Sequence, residues 1–293
     1  MSVLRCEFLL GDAAQIVRDL APESVDTVVT SPPYYRQRDY GTDAQIGNES
    51  TPHEYVARLV EVFSALRRAL KPAGSVWVVL GDKFDRGQML GMPWRFALAM
   101  QDQGWLLRAD CIWHKPNAMP SAATNRPTID HEYVFLLTNS ADYYYNADAI
   151  REPHVTFSKH SRMKGGRKHF GVRGGTPEQG KNAGSSNLHD GRWDQAFHPL
   201  GRNKRTVWSI PLSKYRGAHF AVFPEKLVET CVLATCPSGG TVLDPFAGAG
   251  TTALVARRLQ RHAISIDCNA DYLALAQRRV LAIPELAGIM KSE

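Results

Sequence analysis

Two short segments carry side chains suited to chemistry on a flat aromatic amine. The first, Thr30-Ser31-Pro32-Pro33-Tyr34-Tyr35, closes a β-branched run, Asp26-Thr27-Val28-Val29, with two consecutive prolines. Proline fixes φ and has no N–H, so the pair makes a rigid loop that no helix can absorb. An amine on an aromatic ring has a delocalised lone pair, and methylating it needs acceptors that hold the nitrogen and favour a more tetrahedral geometry. The Ser31 hydroxyl and the Pro32 carbonyl could supply them. Tyr34 adds a π-face for stacking, a contact worth about 1–3 kcal/mol per base. The bland alternative is a Pro-Pro turn over a buried tyrosine.

The second segment, Asp244-Pro245-Phe246-Ala247-Gly248-Ala249-Gly250-Thr251-Thr252, follows the apolar strand signal Gly239-Gly240-Thr241-Val242-Leu243 and precedes a helix expected over Ala253 to Leu259. Glycines at 248 and 250 permit a tight turn and close backbone approach to a ligand at the strand's carboxyl edge. The next strand, His262 to Ile266, ends at Asp267, an acid about 20 residues after the glycines, where ribose hydroxyls are held. No Gly-Lys-Ser/Thr follows, which excludes a phosphate-binding P-loop, and the third glycine of a dinucleotide loop is missing. A nucleoside cofactor fits best; a turn without a ligand is the alternative.

In this order, the two segments resemble the S-adenosylmethionine-dependent amino DNA methyltransferases of the permuted β class, over nearly the whole chain. The resemblance implies a class I, Rossmann-like α/β fold: a mostly parallel, doubly wound and circularly permuted sheet with an inserted target-recognition region. It divides the chain into a catalytic half (1–150), a target-recognition insertion (151–216) and a cofactor-binding half of the same core (217–293). Ser31, Pro32, Pro33 and Tyr34 would hold the target amine. Phe246, Gly248 and Gly250 would surround S-adenosylmethionine, with Asp244 and Thr251 in the same loop and Asp267 on its ribose. His219 to Leu227 matches the family's segment at the methionine end, which brings in Phe223 and Pro224. Trp113 to Asn117 and His131-Glu132-Tyr133 match a block on the strands beyond the catalytic one. The first strand, Leu4 to Leu10, ends at Gly11-Asp12, where the family contacts adenine. A cap on a helix over Ala13 to Leu20 is the other reading of Asp12.

Family members with aspartate at the first motif position usually methylate adenine N6, and serine is more typical of cytosine N4. Ser31 therefore implies N4-cytosine, with N6-adenine as the alternative and a non-catalytic DNA-binding protein as a more remote one. Methyl transfer would be direct, driven mainly by proximity and orientation, onto a base flipped out of the duplex. Cytosine C5 chemistry needs a cysteine nucleophile. The nearest pattern, Cys236-Pro237, reads as a helix stop.

Formal net charge is +6, and its distribution is uneven. Between Arg151 and Arg216, fourteen Lys and Arg face four acids, an excess of ten. That stretch is rich in Gly, Ser, Asn and His, with little apolar periodicity, so double-stranded DNA is the expected partner and a solvated loop the alternative. A cognate restriction endonuclease is a further expected partner, and the protein is expected to be a monomer or homodimer. Five scattered cysteines fit a reduced cytosolic protein, and the resemblance implies a bacterial or phage-encoded one acting on DNA in the cytoplasm. No metal motif, signal-like stretch or membrane span is present in the pattern.

Elsewhere the pattern is structural. Tyr55 to Leu70 predicts an amphipathic helix closed by Lys71-Pro72-Ala73-Gly74, and Ser75 to Leu80 a buried parallel strand. Asp82 at its carboxyl end reads equally as a ligand contact or a turn residue. Tyr143-Tyr144-Tyr145 reads as packing.

Overall fold

The computed structural model describes residues 4–38, 45–154, 198–212 and 223–282. They form two compact units, one of Met1–Asn146 with Arg205–Glu293, the other of Ala147–Lys204.

The larger unit is built on an eight-stranded sheet. Its strands are β1 (Cys6–Leu10), β2 (Val25–Thr30), β3 (Leu70–Leu80), β6 (Leu106–His114), β7 (His131–Thr138), β8 (Val207–Ser209), β9 (Thr241–Asp244) and β10 (His262–Asp267). A small hairpin, β4 (Phe84–Asp85) with β5 (Gln88–Met89), stands apart. The order is β1-β10-β9-β2-β3-β7-β6-β8, parallel from β1 through β3, antiparallel at β3–β7 and β7–β6, and parallel again at β6–β8. The helices are α1 (Ala13–Asp19), α2 (Pro52–Leu66), α3 (Met92–Asp102), α4 (Glu225–Thr235), α5 (Thr251–Arg258) and α6 (Ala270–Leu281). None of them is long and apolar enough to cross a membrane.

Both faces of the sheet are covered. Val76, Val78 and Leu80 of β3 join Val28 and the inner residues of α1, α2 and α3 in one core. The alternate residues turn the other way, as the two-residue repeat of a strand requires. There Thr27 Oγ1 lies 2.9 Å from Ser75 Oγ and 2.9 Å from Thr235 Oγ1, and Trp77 Nε1 donates to Thr235 Oγ1 at 2.9 Å. Thr235 thus ties α4 to β2 and β3. Thr235→Val would leave the buried indole N–H without an acceptor, and should lower unfolding free energy by about 1–3 kcal/mol in urea titrations.

The chain's permutation closes through β1 and β10. Their register runs from Cys6 opposite Ala263 to Leu10 opposite Asp267, and the Gly11 N–H donates to the Asp267 carbonyl at 3.0 Å. Strands β9 and β2 are neighbours, yet the crossover after β9 leads to β10 and the one after β2 leads to β3, on opposite sides. Such a switch point opens a crevice at the strands' carboxyl ends.

Three expected boundaries move. Helix α2 begins at Pro52 and ends at Leu66, because Thr51 and Glu54 form a reciprocal capping box and the chain turns at Arg67. Strand β3 starts at Leu70, where the Val25 N–H already donates to the Ala69 carbonyl, so Lys71 to Gly74 belong to the strand rather than a helix stop. That strand is parallel to β2 on one side only; on the other, β7 runs antiparallel.

The smaller unit ends at Lys204 rather than Arg216, since β8 pairs with β6 of the core. In its described part, Glu152 and Arg202 form an antiparallel bridge, and the Glu152 carboxylate meets Arg202 at 3.1 Å and Lys204 at 3.4 Å. Residues 155–197 and 213–222, which carry most of the basic excess, lie outside the described residues.

Candidate active site

A cleft of about 400 Å³ opens at the carboxyl ends of β2, β9 and β10. Ser31, Pro32, Pro33 and Tyr34 line one wall, and Phe246, Gly248, Thr251 and Asp267 another. Asp12 and Phe223 line it as well. The structure thus brings most of the expected residues to one space.

The Ser31 side is rigid. The Pro33 carbonyl accepts from Tyr55 Oη at 2.9 Å, and the Gln37 N–H donates to the Tyr34 carbonyl at 3.3 Å. The Tyr34 ring fills the space a side chain at Gly81 would need, with a built Cβ only 2.7 Å from its edge. Its hydroxyl donates to Glu132 Oε2 at 2.6 Å and receives a long bond, 3.4 Å, from Ser31 Oγ. Burial first, then the Glu132 charge, pushes the Tyr34 phenol well above its ordinary range, so it remains a donor at neutral pH.

The glycine-loop side is a cradle. Gly248 has φ +49° and no heavy atom within 4 Å of a built Cβ. Its N–H donates to Asp267 Oδ2 at 2.7 Å, while Asp267 Oδ1 accepts from the Asn269 N–H at 2.8 Å. Burial raises the Asp267 carboxyl, and these N–H bonds work against that rise. Thr251 is 2 % exposed, and its Oγ1 has no hydrogen-bond partner among the described residues. A buried hydroxyl costs free energy unless paired, so this wall is incomplete without a polar guest. Open space over Gly248, an orphan hydroxyl and a carboxylate suit a nucleoside.

Comparisons with known proteins agree. The N6/N4 family model described as DNA methylase matches residues 25–278. The chain belongs to the N6/N4 DNA methylase family. It is a DNA methyltransferase that uses S-adenosylmethionine. Among its relatives, the type II methyltransferase M.SmaI of Serratia marcescens is 36% identical over 94% of this chain and 91% of its own length. M.Cfr9I of Citrobacter freundii is 35% identical over 92% and 86%. Of solved structures, the PvuII DNA methyltransferase (cytosine-N4-specific) superposes with a TM-score of 0.66 at 21% identity, covering 96% of this chain and 90% of its own. The protein TTHA0409 of Thermus thermophilus, complexed with S-adenosyl-L-methionine, gives 0.60 at 25% identity, covering 95% and 93%.

Several expected site residues of this methylase stand behind the cleft. Asp244, 1 % exposed, accepts from Thr30 Oγ1 at 2.6 Å, Thr252 Oγ1 at 2.7 Å and the Phe246 N–H at 3.0 Å, which locks β2 to the glycine loop. Gly250 is also outside the wall: a Cβ there would meet Ala276 Cβ at 2.6 Å, so it serves the packing of α5 on α6. Pro224 is the residue before α4. Asp12 combines both readings, lining the cleft while Oδ1 accepts from the Gln15 N–H at 3.0 Å to cap α1. Asp82 takes the turn reading, accepting from the Lys83 and Met92 N–H groups at 2.8 and 3.0 Å. Tyr143 and Tyr145 pack edge to face, 6.0 Å apart, with the Arg108 guanidinium over Tyr143. Cys236 ends α4, and burial followed by the Asp26 charge pushes its thiol to about 12, so it offers no thiolate.

Sequence reasoning gave no role to Trp113, Lys115 and Glu132, which line the cleft beside Tyr34. The Lys115 ammonium pairs with Glu132 Oε1 and lies 4.6 Å from the centre of the Trp113 ring.

Asp244 also sets a pH dependence. Burial lifts its carboxyl to about 6, against the three hydrogen bonds that favour the anion. A carboxyl raised on folding adds stability below its unfolded value, about 4, and loses it as pH rises through the folded one. Unfolding free energy from this group should therefore fall between about pH 4 and 6. Urea titrations across that window should show a flatter profile for Asp244→Asn than for the parent; parallel profiles would remove Asp244 as the source.

Proposed function

We propose that this methyltransferase transfers the methyl group of S-adenosylmethionine to the exocyclic N4 amine of cytosine in double-stranded DNA, at a site chosen by its target-recognition insertion. The observation that carries this reading is the opening of Ser31 and the Gly248–Asp267 cradle onto one cleft. Bound S-adenosylmethionine supplies an electrophilic methyl on a sulfonium. Asp267 and Asp12 would hold its hydroxyl and amine groups, Thr251 Oγ1 would gain a partner, and Phe246 and Phe223 would supply apolar wall. On the facing side, Ser31 Oγ and the Pro32 carbonyl accept from the amine and orient its lone pair toward the methyl. Serine suffices there because the methylated amine is cationic and loses its proton readily. Pro33 keeps the loop rigid, and Tyr34 stacks on the base, offsetting part of the few kcal/mol that flipping costs. PvuII, named as cytosine-N4-specific, shares this fold. The type II relatives support a place in restriction–modification, with an endonuclease of the same specificity as partner and cytoplasmic DNA as substrate.

Mass spectrometry of nucleosides from DNA incubated with the protein and methyl-labelled S-adenosylmethionine tests the base. N4-methylcytosine supports the serine argument. N6-methyladenine keeps the mechanism and overturns the base, and no methylated nucleoside favours RNA, another substrate or an inactive binder. The basic stretch has its own test. Replacing Arg162, Lys164, Arg167 and Lys168 should weaken DNA binding and reduce the log–log salt slope by about 0.9 for each phosphate no longer neutralised. An unaltered slope would take these residues off the backbone.

A further inference from the structure

We infer that Lys115 reads the ring nitrogen beside the target amine, and that Glu132 positions it. This rests on the amine-methylating reading above and names the part of the cleft that selects the base.

The pair is costly to keep. Lys115 and Glu132 side chains are each 15 % exposed, and removing two charges from water costs enough that apolar replacements of a buried pair are often neutral or stabilising. Yet the pair stands in the cleft wall, Glu132 bonded directly to the Tyr34 hydroxyl and Lys115 three hydrogen bonds from Ser31 through Tyr34 and Glu132. Its backbone setting is fixed: Trp113 pairs with Glu132 across β6 and β7, and the Lys115 N–H donates to the Asp130 carbonyl at 2.7 Å. Glu132 uses one oxygen on Tyr34 and the other on Lys115. An ammonium has three donors, and one is spent on Glu132.

That arrangement matches one class of base. Cytosine and adenine present an amine next to an unprotonated ring nitrogen, donor beside acceptor. Thymine and guanine present a carbonyl oxygen next to a ring N–H, the reverse order. With Ser31 accepting from the amine and Lys115 donating to the ring nitrogen, an amino base satisfies both groups. A keto base would aim its N–H at the ammonium and its oxygen at an acceptor. A site built this way rejects the wrong partner strongly, because its own polar groups are left unpaired. The Trp113 ring beneath the ammonium limits its swing.

The test removes the ring nitrogen alone. Methylation is mapped on plain DNA first, and a duplex of that site is then made with 3-deazacytosine at the target, or 1-deazaadenine if the product is N6-methyladenine. Single-turnover methylation by the parent protein should slow about 10- to 100-fold on the deaza duplex, the range for losing a charge-assisted hydrogen bond. Lys115→Met should be slow on the ordinary duplex with no further loss on the deaza one, while Lys115→Arg, which keeps a donor, should stay sensitive. Glu132→Gln should show reduced discrimination between the duplexes, with S-adenosylmethionine affinity unchanged. Because Lys115→Met strands a carboxylate, the double variant Lys115→Met/Glu132→Gln repeats the comparison in a neutral site. A parent enzyme indifferent to the deaza base, or a Lys115→Met variant that keeps the full deaza penalty, overturns the inference alone. Absence of any methylated amine on plain DNA overturns the reading beneath it as well.

Discussion

Ser31→Ala should lower single-turnover methylation by about 10²- to 10³-fold, the loss typical of removing one preorganised polar group at the reacting centre, while leaving S-adenosylmethionine affinity within about twofold. The separation follows from where the groups stand. Ser31 touches the cofactor side only through the shared cleft, whereas the glycine loop is held independently by Asp244, Thr252 and Asp267. Nor should the substitution loosen Tyr34. Its short bond to Glu132, 2.6 Å, survives, and the only bond removed is the long one from Ser31, 3.4 Å. Rapid-quench methylation and calorimetric titration of S-adenosylmethionine on the same variant decide it. Unchanged turnover would take Ser31 out of the reaction, and a parallel fall in cofactor affinity would make it a wall of the cofactor pocket.

The parts of the site that were legible in the sequence are those written within one loop. Pro-Pro after a β-branched run and glycines after an apolar strand impose their turns locally, so the two loops were open to sequence reasoning, whereas the circular permutation came from the resemblance. What chain neighbours could not show was competition for a side chain. Asp244 stands beside the glycine loop and has the look of a ligand, but the Thr30 hydroxyl comes from 214 residues away to claim it. Glu132 lies 98 residues from Tyr34, and only the antiparallel run of β7 beside β3 brings it to the cleft. Leu70 continued the helical spacing of α2, yet its pairing opposite Val25 placed it in β3. In each case a long-range partner outweighed a correct local pattern, as tertiary context commonly does.

Gly248 and Gly250 show the same divergence, two residues apart, and should fail in opposite ways. Gly250→Ala should cost about 2–4 kcal/mol of stability: its φ is +74°, which strains any L side chain, and the new Cβ would press on Ala276 at 2.6 Å, backbone atoms close behind. Folded Gly250→Ala protein should still bind S-adenosylmethionine, since Gly250 is not in the cleft wall. Gly248→Val should do the reverse. Its φ of +49° costs a β-branched residue about 1–3 kcal/mol, but no heavy atom among the described residues lies within 4 Å of a Cβ there, and the residue lines the cleft. Cofactor affinity should drop at least about 100-fold, beyond what the strain alone explains. Thermal unfolding with and without S-adenosylmethionine separates the two. The parent and folded Gly250→Ala should both be raised by the ligand, the latter from a lower starting point, and Gly248→Val should start below the parent by its backbone strain alone and not respond. If Gly250→Ala kept its stability but lost the ligand response, the packing role would fall and the cofactor would have to reach past Gly248 to the start of α5.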